Sequence, residues 1–401
     1  LRGAPRALLS NRISQYLVDV SYSIYIWHWP LIVLMPFVLD QTLFWPHKII
    51  LGLLSIALAG LTKRWVEDPV RRDPRLISNL RRTFVVGAVC IGLVLTGSAA
   101  VAVNLQRDAA ASADRVAHGL LMQGECFGAD ATRTTSCDPA GERLLTTPLF
   151  AKDDRPDVYA DNCWANWPFT AHRVCTYGPK DATTRIALIG NSHAGQWQPA
   201  LDEAAGREKW RISTYLVSEC YPADALISFS TPALTKNCHD WTSWAMGEIK
   251  RGGFDLVVMS NRTLQPLVGV SRADQRQRAK EAYGRTLKAL TSGGTPVLVI
   301  RDIPGMTGNV PDCIAAHDQD MHACTRPLKE AIPRDPAADA ARANDSGLAT
   351  VVDVNTLLCP RRVCLSVIGG VIVFSDHGHL TKTFARTLAP EITSSVLKRL
   401  G

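Results

Sequence analysis

The chain has 401 residues, of which 46% are hydrophobic and 20% charged, so a largely disordered protein is excluded. The net charge of +7 is concentrated at one end, because residues 1–110 contain twelve basic and six acidic side chains. The rest of the chain has 32 basic and 31 acidic side chains, which excludes the basic surface of a nucleic-acid-binding domain. Because the sequence starts at Leu1 and not at Met, we expect it to be the C-terminal portion of a longer protein.

Three uncharged stretches, residues 20–39, 49–62 and 83–106, predict three membrane-spanning helices. The second has only 14 residues and crosses a bilayer only if the residues around it extend it and the flanking lysines snorkel. Buried helices of a soluble domain are the alternative, but three such stretches in succession with basic flanks favour the membrane. The third could instead be a signal peptide, and in either case the rest of the chain is exported.

Basic residues predict the orientation of the spans. They precede the first span and recur seven times in residues 63–82, whereas the loop 40–47 contains none. The positive-inside rule places the N-terminal end and the 63–82 loop in the cytoplasm. We therefore expect a multi-pass protein of the cell (inner or plasma) membrane with its C-terminal domain on the extracytoplasmic side, in contact with membrane lipids. The cysteine content favours the periplasmic face of a bacterial envelope.

Ten of the eleven cysteines come after the third span, and Cys90 lies within it. An even number of cysteines in an exported region is typical of disulfide bonds. A zinc site is the alternative, but no C-x-x-C pair is present, and we expect no metal. Their short intervals favour pairing between sequence neighbours: 126 with 137, 163 with 175, 220 with 238, 313 with 324, and 359 with 364.

The exported region divides by its sequence pattern. Residues 107–183 predict a linker, at 108–118, and a disulfide-rich lead-in that packs against the region after it. From residue 184, short apolar runs alternate with amphipathic stretches, which predicts an α/β fold with a parallel sheet and helices on both faces. The predicted strands are 185–189, 212–217, 254–260, 296–300 and 350–354, and the predicted helices are 194–206, 240–250, 273–290 and 380–400.

Ligands of such sheets bind at the carboxyl ends of the strands. Ser192 follows the first predicted strand in a turn of sequence G-N-S-H, and a serine nucleophile needs a base and an orienting carboxylate. Asp376 and His379, three residues apart before the last helix, supply both. Asn261 follows the third strand and could donate to an oxyanion. The alternatives are a helix cap for Ser192, turn and cap roles for the others, and a metal site at the histidines.

These motifs resemble those of the SGNH (GDSL-like) hydrolase superfamily over residues 184–400. The resemblance implies a flavodoxin-like three-layer domain with Ser192 as nucleophile, Asp376 and His379 completing the triad, and the Ser192 N–H and Asn261 side chain in the oxyanion hole. Two positions depart from the family pattern. Asn191 stands where the family usually has Asp, and residues 217–223 lack the family's second-block glycine. A backbone N–H near Glu219–Cys220 would have to serve instead.

The membrane part resembles the acyltransferase family 3 membrane proteins over residues 1–105. S-Y-S-I-Y-I-W-H-W-P at residues 21–30 and the E-D-P-V-R run at 67–71 are similar to two motifs of that family. The family usually carries acetyl groups from acetyl-CoA onto envelope carbohydrates, with catalytic positions in earlier spans. His28, an ionisable residue inside a span, is a functional candidate, and a histidine that only bonds a neighbour is the alternative.

Together the two resemblances imply domains at 1–106, 107–183 and 184–401 and a division of labour between membrane and exported parts. We expect an O-acyltransferase, acting through Ser192 on a cell-envelope polysaccharide or lipid-linked glycan. Acetyl-CoA would be the acyl donor of the full-length protein, and these residues would bind no cofactor. The alternatives are a glycan O-acetyl esterase with the same triad and a non-catalytic glycan-binding module.

Overall fold

A computed structural model describes residues 11–39, 43–122, 126–141, 143–317 and 320–401. The chain folds into two compact units, Leu1–Gln106 and Arg107–Gly401. Helices build the described part of the first unit, whereas the second combines helices with all strands of the described residues.

The first unit is helical, as its uncharged stretches predict. Its helices are α1 (Arg12–Leu39), α2 (Trp45–Thr62), α3 (Asp68–Arg72), α4 (Pro74–Ile77) and the first part of α5 (Leu80–Met122), with a π-helical turn at Lys63–Glu67. The three predicted spans are confirmed as helices long and apolar enough to cross a membrane: Arg12–Met35, Trp45–Arg72 and Leu80–Leu121. The second span exceeds its 14 uncharged residues because the helix continues through the charged residues on its C-terminal side.

The two motifs of the membrane resemblance contact each other within the first unit. The Trp27 indole N–H donates to the Thr62 hydroxyl at 2.8 Å, at the end of α2. One turn earlier in α1, the Ser23 hydroxyl donates to the Glu67 carboxylate at 3.4 Å. Two side-chain hydrogen bonds therefore join α1 to the segment that carries the E-D-P-V-R run.

The predicted linker at residues 108–118 is helical and forms part of α5. Its alanines favour a helix, which explains the continuation. Ser112 and Val116 are buried, and the Arg115 guanidinium donates to the Leu145 carbonyl at 2.7 Å. This end of α5 therefore packs against the lead-in that comes after it.

The second unit is built around a six-stranded sheet of order β1-β3-β2-β4-β5-β7. Within this sheet β3, β2, β4, β5 and β7 run parallel to one another. At one edge, β1 pairs antiparallel with β3. The strands are β1 (Cys175–Tyr177), β2 (Thr184–Gly190), β3 (Trp210–Leu216), β4 (Leu256–Ser260), β5 (Val297–Ile300), β6 (Arg326–Pro327), β7 (Ala349–Val352), β8 (Val363–Cys364), β9 (Val367–Ile368) and β10 (Val371–Ile372). Two small antiparallel sheets of two strands each pair β6 with β8 and β9 with β10.

Helices cover both faces of the sheet, which confirms the predicted three-layer α/β fold. The helices are α6 (Asp130–Arg133), α7 (Pro148–Asp153), α8 (Asp157–Ala160), α9 (Ser192–Gly195), α10 (Gln198–Glu208), α11 (Pro232–Arg251), α12 (Gln275–Thr291), α13 (Val310–Ala316), α14 (Leu328–Ala331), α15 (Pro336–Arg342), α16 (Asn355–Leu358), α17 (Lys382–Thr387) and α18 (Ala389–Leu400). In β2, Ile186 and Leu188 enter one core with α10 and α18, whereas Ala187 and Ile189 enter the other with α11 and α12.

Three elements differ from the prediction for local reasons. Helix α11 begins at Pro232 and not near Asp240, because Thr231 caps it by accepting the Leu234 N–H at 3.2 Å. The predicted helix 194–206 is broken into α9 and α10, and the closing helix starts only at Lys382. Strand β1 was not predicted, since its three residues are too few for a periodic pattern.

Five disulfide bonds join the ten cysteines of the second unit, and all five neighbour pairings predicted from the intervals are confirmed. Cys163 and Cys175 tie the lead-in to β1, and Cys220 and Cys238 tie the segment after β3 to α11. Cys90 is a free cysteine in α5. The disulfides therefore fix the segments around the carboxyl edge of the sheet.

Candidate active site

The site begins at the turn between β2 and α9. Gly190 has φ 148°, and a Cβ there would lie 2.1 Å from the Ser260 carbonyl oxygen, so this position requires glycine. Asn191 caps α9, because its Oδ1 accepts the His193 N–H at 3.1 Å. Ser192 is therefore the first residue of the helix and not its cap, and it lies at the carboxyl edge of the sheet.

Asn191 holds this turn against the loop after β4. Its Nδ2 donates to the Arg262 carbonyl at 2.9 Å, and its Oδ1 also accepts the Arg262 N–H at 3.3 Å. A carboxylate could accept the N–H but could not donate to the carbonyl. The asparagine, which departs from the usual family residue, thus makes a backbone contact that an aspartate cannot make.

Asn261 lies beside the same turn with an unused donor. Its Oδ1 accepts the Asn191 N–H at 3.1 Å, which fixes the orientation of the amide. Its Nδ2 is buried and has no hydrogen-bond partner among the described residues. A buried amide donor without a partner is costly in a folded protein unless another group uses it. This geometry suits a donor to a developing oxyanion.

Asp376 and His379 form a hydrogen-bonded pair in the loop before α17. His379 Nδ1 lies 2.7 Å from Asp376 Oδ2, and Asp376 Oδ1 accepts the N–H groups of Gly378 and His379. Burial alone would raise the pKa of Asp376, but the hydrogen bond and charge of His379 outweigh it and lower that pKa. The carboxylate therefore holds the proton on Nδ1 and leaves Nε2 as the basic nitrogen.

The loop with His379 packs directly against the helix that Ser192 begins. Gln196 Oε1 accepts the Leu380 N–H at 3.0 Å, and the rings of His193 and His379 have centroids 4.7 Å apart. His379 Nε2 is buried without a hydrogen-bond partner among the described residues, so no bond to Ser192 is formed. The structure thus brings the segments of all four predicted residues together, with the base nitrogen still unpaired.

A second histidine–aspartate pair, which the sequence pattern did not predict, lies under the first. His193 Nδ1 is 2.7 Å from Asp302 Oδ1, and Asp302 Oδ2 accepts the Arg262 Nε–H at 2.8 Å. Burial lowers the pKa of His193 to about 4, against the opposing effect of Asp302. His193 is thus a neutral donor to a carboxylate that Arg262 already compensates. Asp302 follows β5 at the carboxyl edge, a position that the sequence also offers at Asp353 after β7, so no local signal singles it out.

The segment after β3 is the one that lacks the second-block glycine of the SGNH family. Glu219 has φ 58°, the left-handed conformation that glycine adopts most easily. The Cys220 N–H donates to the Ser218 carbonyl at 2.6 Å and closes a three-residue turn around it. Positive φ at a residue other than glycine is often found at functional sites. Glu219 thus adopts a glycine-like conformation within the region where the N–H donor is expected.

Two further groups of candidates are not part of this cluster. His28 belongs to the first unit, where its Nδ1 is 3.2 Å from the Ile24 carbonyl oxygen in the preceding turn of α1. Cys313, His317 and Cys324 have the spacing of a metal site in the described residues. The two sulfurs are, however, bonded to each other as a disulfide, which removes two of the three ligands.

Comparison with known proteins identifies a family for the second unit. A family model described as SGNH domain (fused to AT3 domains) matches residues 158–394, which include Ser192, Asn261, Asp376 and His379. Among solved structures, the chain is similar to the periplasmic domain of a lipopolysaccharide acetyltransferase of Salmonella ser. Paratyphi A. That similarity has 18% identity and a TM-score of 0.43, covering 54% of this chain and 85% of the other. No curated protein matches the chain.

Proposed function

Because the chain belongs to the family of SGNH domains fused to AT3 domains, we propose that it is an O-acyltransferase acting through Ser192. It would move an acyl group, most simply acetyl, onto hydroxyls of a glycan outside the cytoplasm. The observation that supports this most strongly is His379, whose Nδ1 is held by Asp376 while its Nε2 is buried without a partner among the described residues. Such a nitrogen is prepared to take a proton from a neighbouring hydroxyl.

The reaction would proceed in two balanced steps. His379 Nε2 takes the Ser192 proton as Oγ attacks the acyl carbonyl, and the Asn261 amide donates to the oxyanion. Collapse of this intermediate expels the donor's leaving group, which receives the proton from His379. A glycan hydroxyl then gives its proton to His379 and attacks the acyl-enzyme, and Ser192 Oγ leaves with that proton.

The membrane unit would supply the acyl group. In this proposal its three helices are the last spans of an acyltransferase-3-like domain, which takes acetyl from acetyl-CoA on the cytoplasmic side. The second unit would lie on the extracytoplasmic side of the cell membrane, where its five disulfides are stable. The acceptor would be a cell-envelope polysaccharide or a lipid-linked glycan.

Mass spectrometry of the detergent-solubilised full chain would test this function. The protein is incubated with 4-nitrophenyl acetate, digested, and searched for an acetyl group on the peptide that contains Ser192. Ser192→Ala is the matched control. We expect acetylated Ser192 in the wild type only, and faster loss of the acetyl group when an oligosaccharide is added.

The other outcomes separate the competing functions. An adduct that water removes at the same rate with and without sugar would indicate an esterase. Absence of any adduct on Ser192, together with oligosaccharide binding that survives Ser192→Ala, would indicate a non-catalytic binding module and overturn the proposal.

A further inference from the structure

An aromatic side chain is presented to solvent near the turn of Ser192. Trp167 is 50% exposed, although tryptophan buries more apolar surface than almost any other residue. Two phenylalanines pack edge-on against its ring, Phe169 at 6.2 Å and Phe229 at 6.1 Å between centroids. Phe169 is itself buried in the core. The two phenylalanine rings therefore hold the exposed indole in place, and we call this indole the aromatic platform.

The backbone connects this platform to the catalytic turn. Ala165 forms a parallel bridge with Val217 at the carboxyl end of β3, and the Val217 N–H donates to the Gly190 carbonyl at 3.1 Å. Two strand spacings of about 4.8 Å place Ala165 about 10 Å from Gly190. Ser192 and Trp167 each come two residues later. A bound oligosaccharide of a few rings could therefore reach from Ser192 to Trp167.

Polar groups lie along the same edge. The Asn166 Oδ1 accepts the Ser218 hydroxyl at 2.6 Å, which leaves the exposed Nδ2 with both protons available. The Glu219 Oε2 accepts the Gln265 Nε2–H at 2.8 Å, and the Glu219 side chain is exposed to solvent. This bond joins the segments after β3 and β4, which are the neighbours of β2 on either side. The groups are thus held in place by other side chains and still offer hydrogen bonds.

We propose that Trp167, Asn166 and Glu219 form a subsite for the acceptor, and that it binds a neutral hexopyranose chain. An exposed indole face suits the C–H face of a sugar ring, while an amide donor and a carboxylate acceptor suit its hydroxyls. The Glu219 charge disfavours acidic sugars. The inference rests on the proposed function, because it assigns the acceptor to the Ser192 site.

The experiment measures two steps separately in the detergent-solubilised full chain. The 4-nitrophenolate burst reports acetylation of Ser192, and mass spectrometry reports transfer to maltohexaose, cellohexaose or chitohexaose. For Trp167→Ala we expect the KM for the preferred hexasaccharide to rise at least about tenfold, as for a central aromatic contact, with the burst rate changed less than about twofold. Trp167→Phe should retain most of the affinity. Leu226→Ala, which removes another exposed apolar side chain, is the matched control.

The outcomes distinguish this subsite from the function on which it rests. If Ser192 is acetylated but no hexasaccharide accelerates its discharge, the neutral-hexopyranose subsite is wrong and the acyl-enzyme remains. An unchanged KM in Trp167→Ala has the same consequence. If Ser192 is never acetylated, the proposed function fails, and calorimetric titration with the same hexasaccharides decides the subsite: binding lost only in Trp167→Ala supports it, and binding equal in both proteins overturns it.

Discussion

The second unit contains two histidine–aspartate pairs with the same contact and opposite surroundings. In each, a histidine Nδ1 lies 2.7 Å from a carboxylate oxygen, and the two imidazole rings are 4.7 Å apart. The side chains of His379 and Asp376 are 27% and 31% exposed, whereas those of His193 and Asp302 are 4% and 3% exposed. Asp376 is held by backbone N–H groups and Asp302 by the Arg262 guanidinium.

In the proposed mechanism, this difference separates the reactive pair from a structural one. Asp376 lies near two histidines, His379 at 2.7 Å and His377 at 4.0 Å, and forms no salt bridge with an arginine or lysine of the described residues, so its carboxylate can stabilise a proton gained by His379. The Asp302 charge is already compensated by Arg262, and burial keeps His193 neutral. A short histidine–aspartate contact therefore does not identify a general base. The exposed fraction of the two side chains and the charge left on the carboxylate distinguish the two pairs instead.

The largest effect is expected from removing the charge of the exposed pair. Asp376→Asn should reduce acetylation of Ser192 by about 10³- to 10⁴-fold, because the amide no longer fixes the His379 tautomer or stabilises the imidazolium. Stability should change little, since the pair is partly solvated and an asparagine Oδ1 can still accept the two backbone N–H groups. Burst kinetics measure the loss, and thermal unfolding checks the fold. Retention of more than about a tenth of the activity would contradict the assignment of Asp376 and His379 as the reactive pair.

For the buried pair we expect an effect on stability. Asp302→Asn should lower the free energy of unfolding by about 4 kcal/mol, because it leaves the buried Arg262 guanidinium uncompensated. The matched control is Asp353→Asn, which breaks a partly exposed pair with Arg301 and should lower it by less than about 1 kcal/mol. Urea unfolding followed by circular dichroism compares the variants. Equal losses in both would mean that burial does not distinguish these ion pairs.

The sequence predicted the exposed pair and missed the buried one, and the reason is physical. Asp376 and His379 are three residues apart, so one loop brings them together whatever the remaining fold. Asp302 reaches His193 only because β5 lies beside β4 and β4 beside β2. Nothing local distinguishes Asp302 from Asp353, which also follows a strand of the sheet. Contacts that depend on strand order require the topology.

Secondary structure, too, was predicted where it depends on local sequence and missed where it depends on the topology. The four central strands were predicted because each is a short apolar run buried on both faces, whereas β1 has three half-exposed residues and exists only through its pairing with β3. The start of α11 was placed too late because its first turns are polar, although Thr231 and Pro232 are a helix-start signal. Disulfide pairing was predicted correctly from intervals alone, since short loops close easily.

A smaller effect concerns the pH dependence of stability, to which His193 of the buried pair contributes. Burial lowers the pKa of His193 to about 4, from an ordinary value near 6.5. Below pH 6.5 the unfolded chain therefore takes up a proton that the folded protein refuses, and the free energy of unfolding falls until about pH 4. The integrated loss is up to about 3 kcal/mol. In His193→Asn this contribution is absent, so the difference in slope between the two proteins isolates it.

Asp335 also makes the free energy of unfolding depend on pH, and its contribution has the opposite sign to that of His193. The two contributions must therefore be measured separately. Burial raises its pKa to about 6, so below pH 6 the folded protein takes up a proton before the unfolded chain does, and stability rises toward pH 4. The two contributions overlap in pH. In urea unfolding between pH 7 and pH 4, His193→Asn should therefore gain stability relative to the wild type as the pH falls, and Asp335→Asn should lose stability relative to the wild type. Parallel curves for the wild type and His193→Asn would mean that His193 is protonated in the fold, and the distinction between the two pairs would be lost.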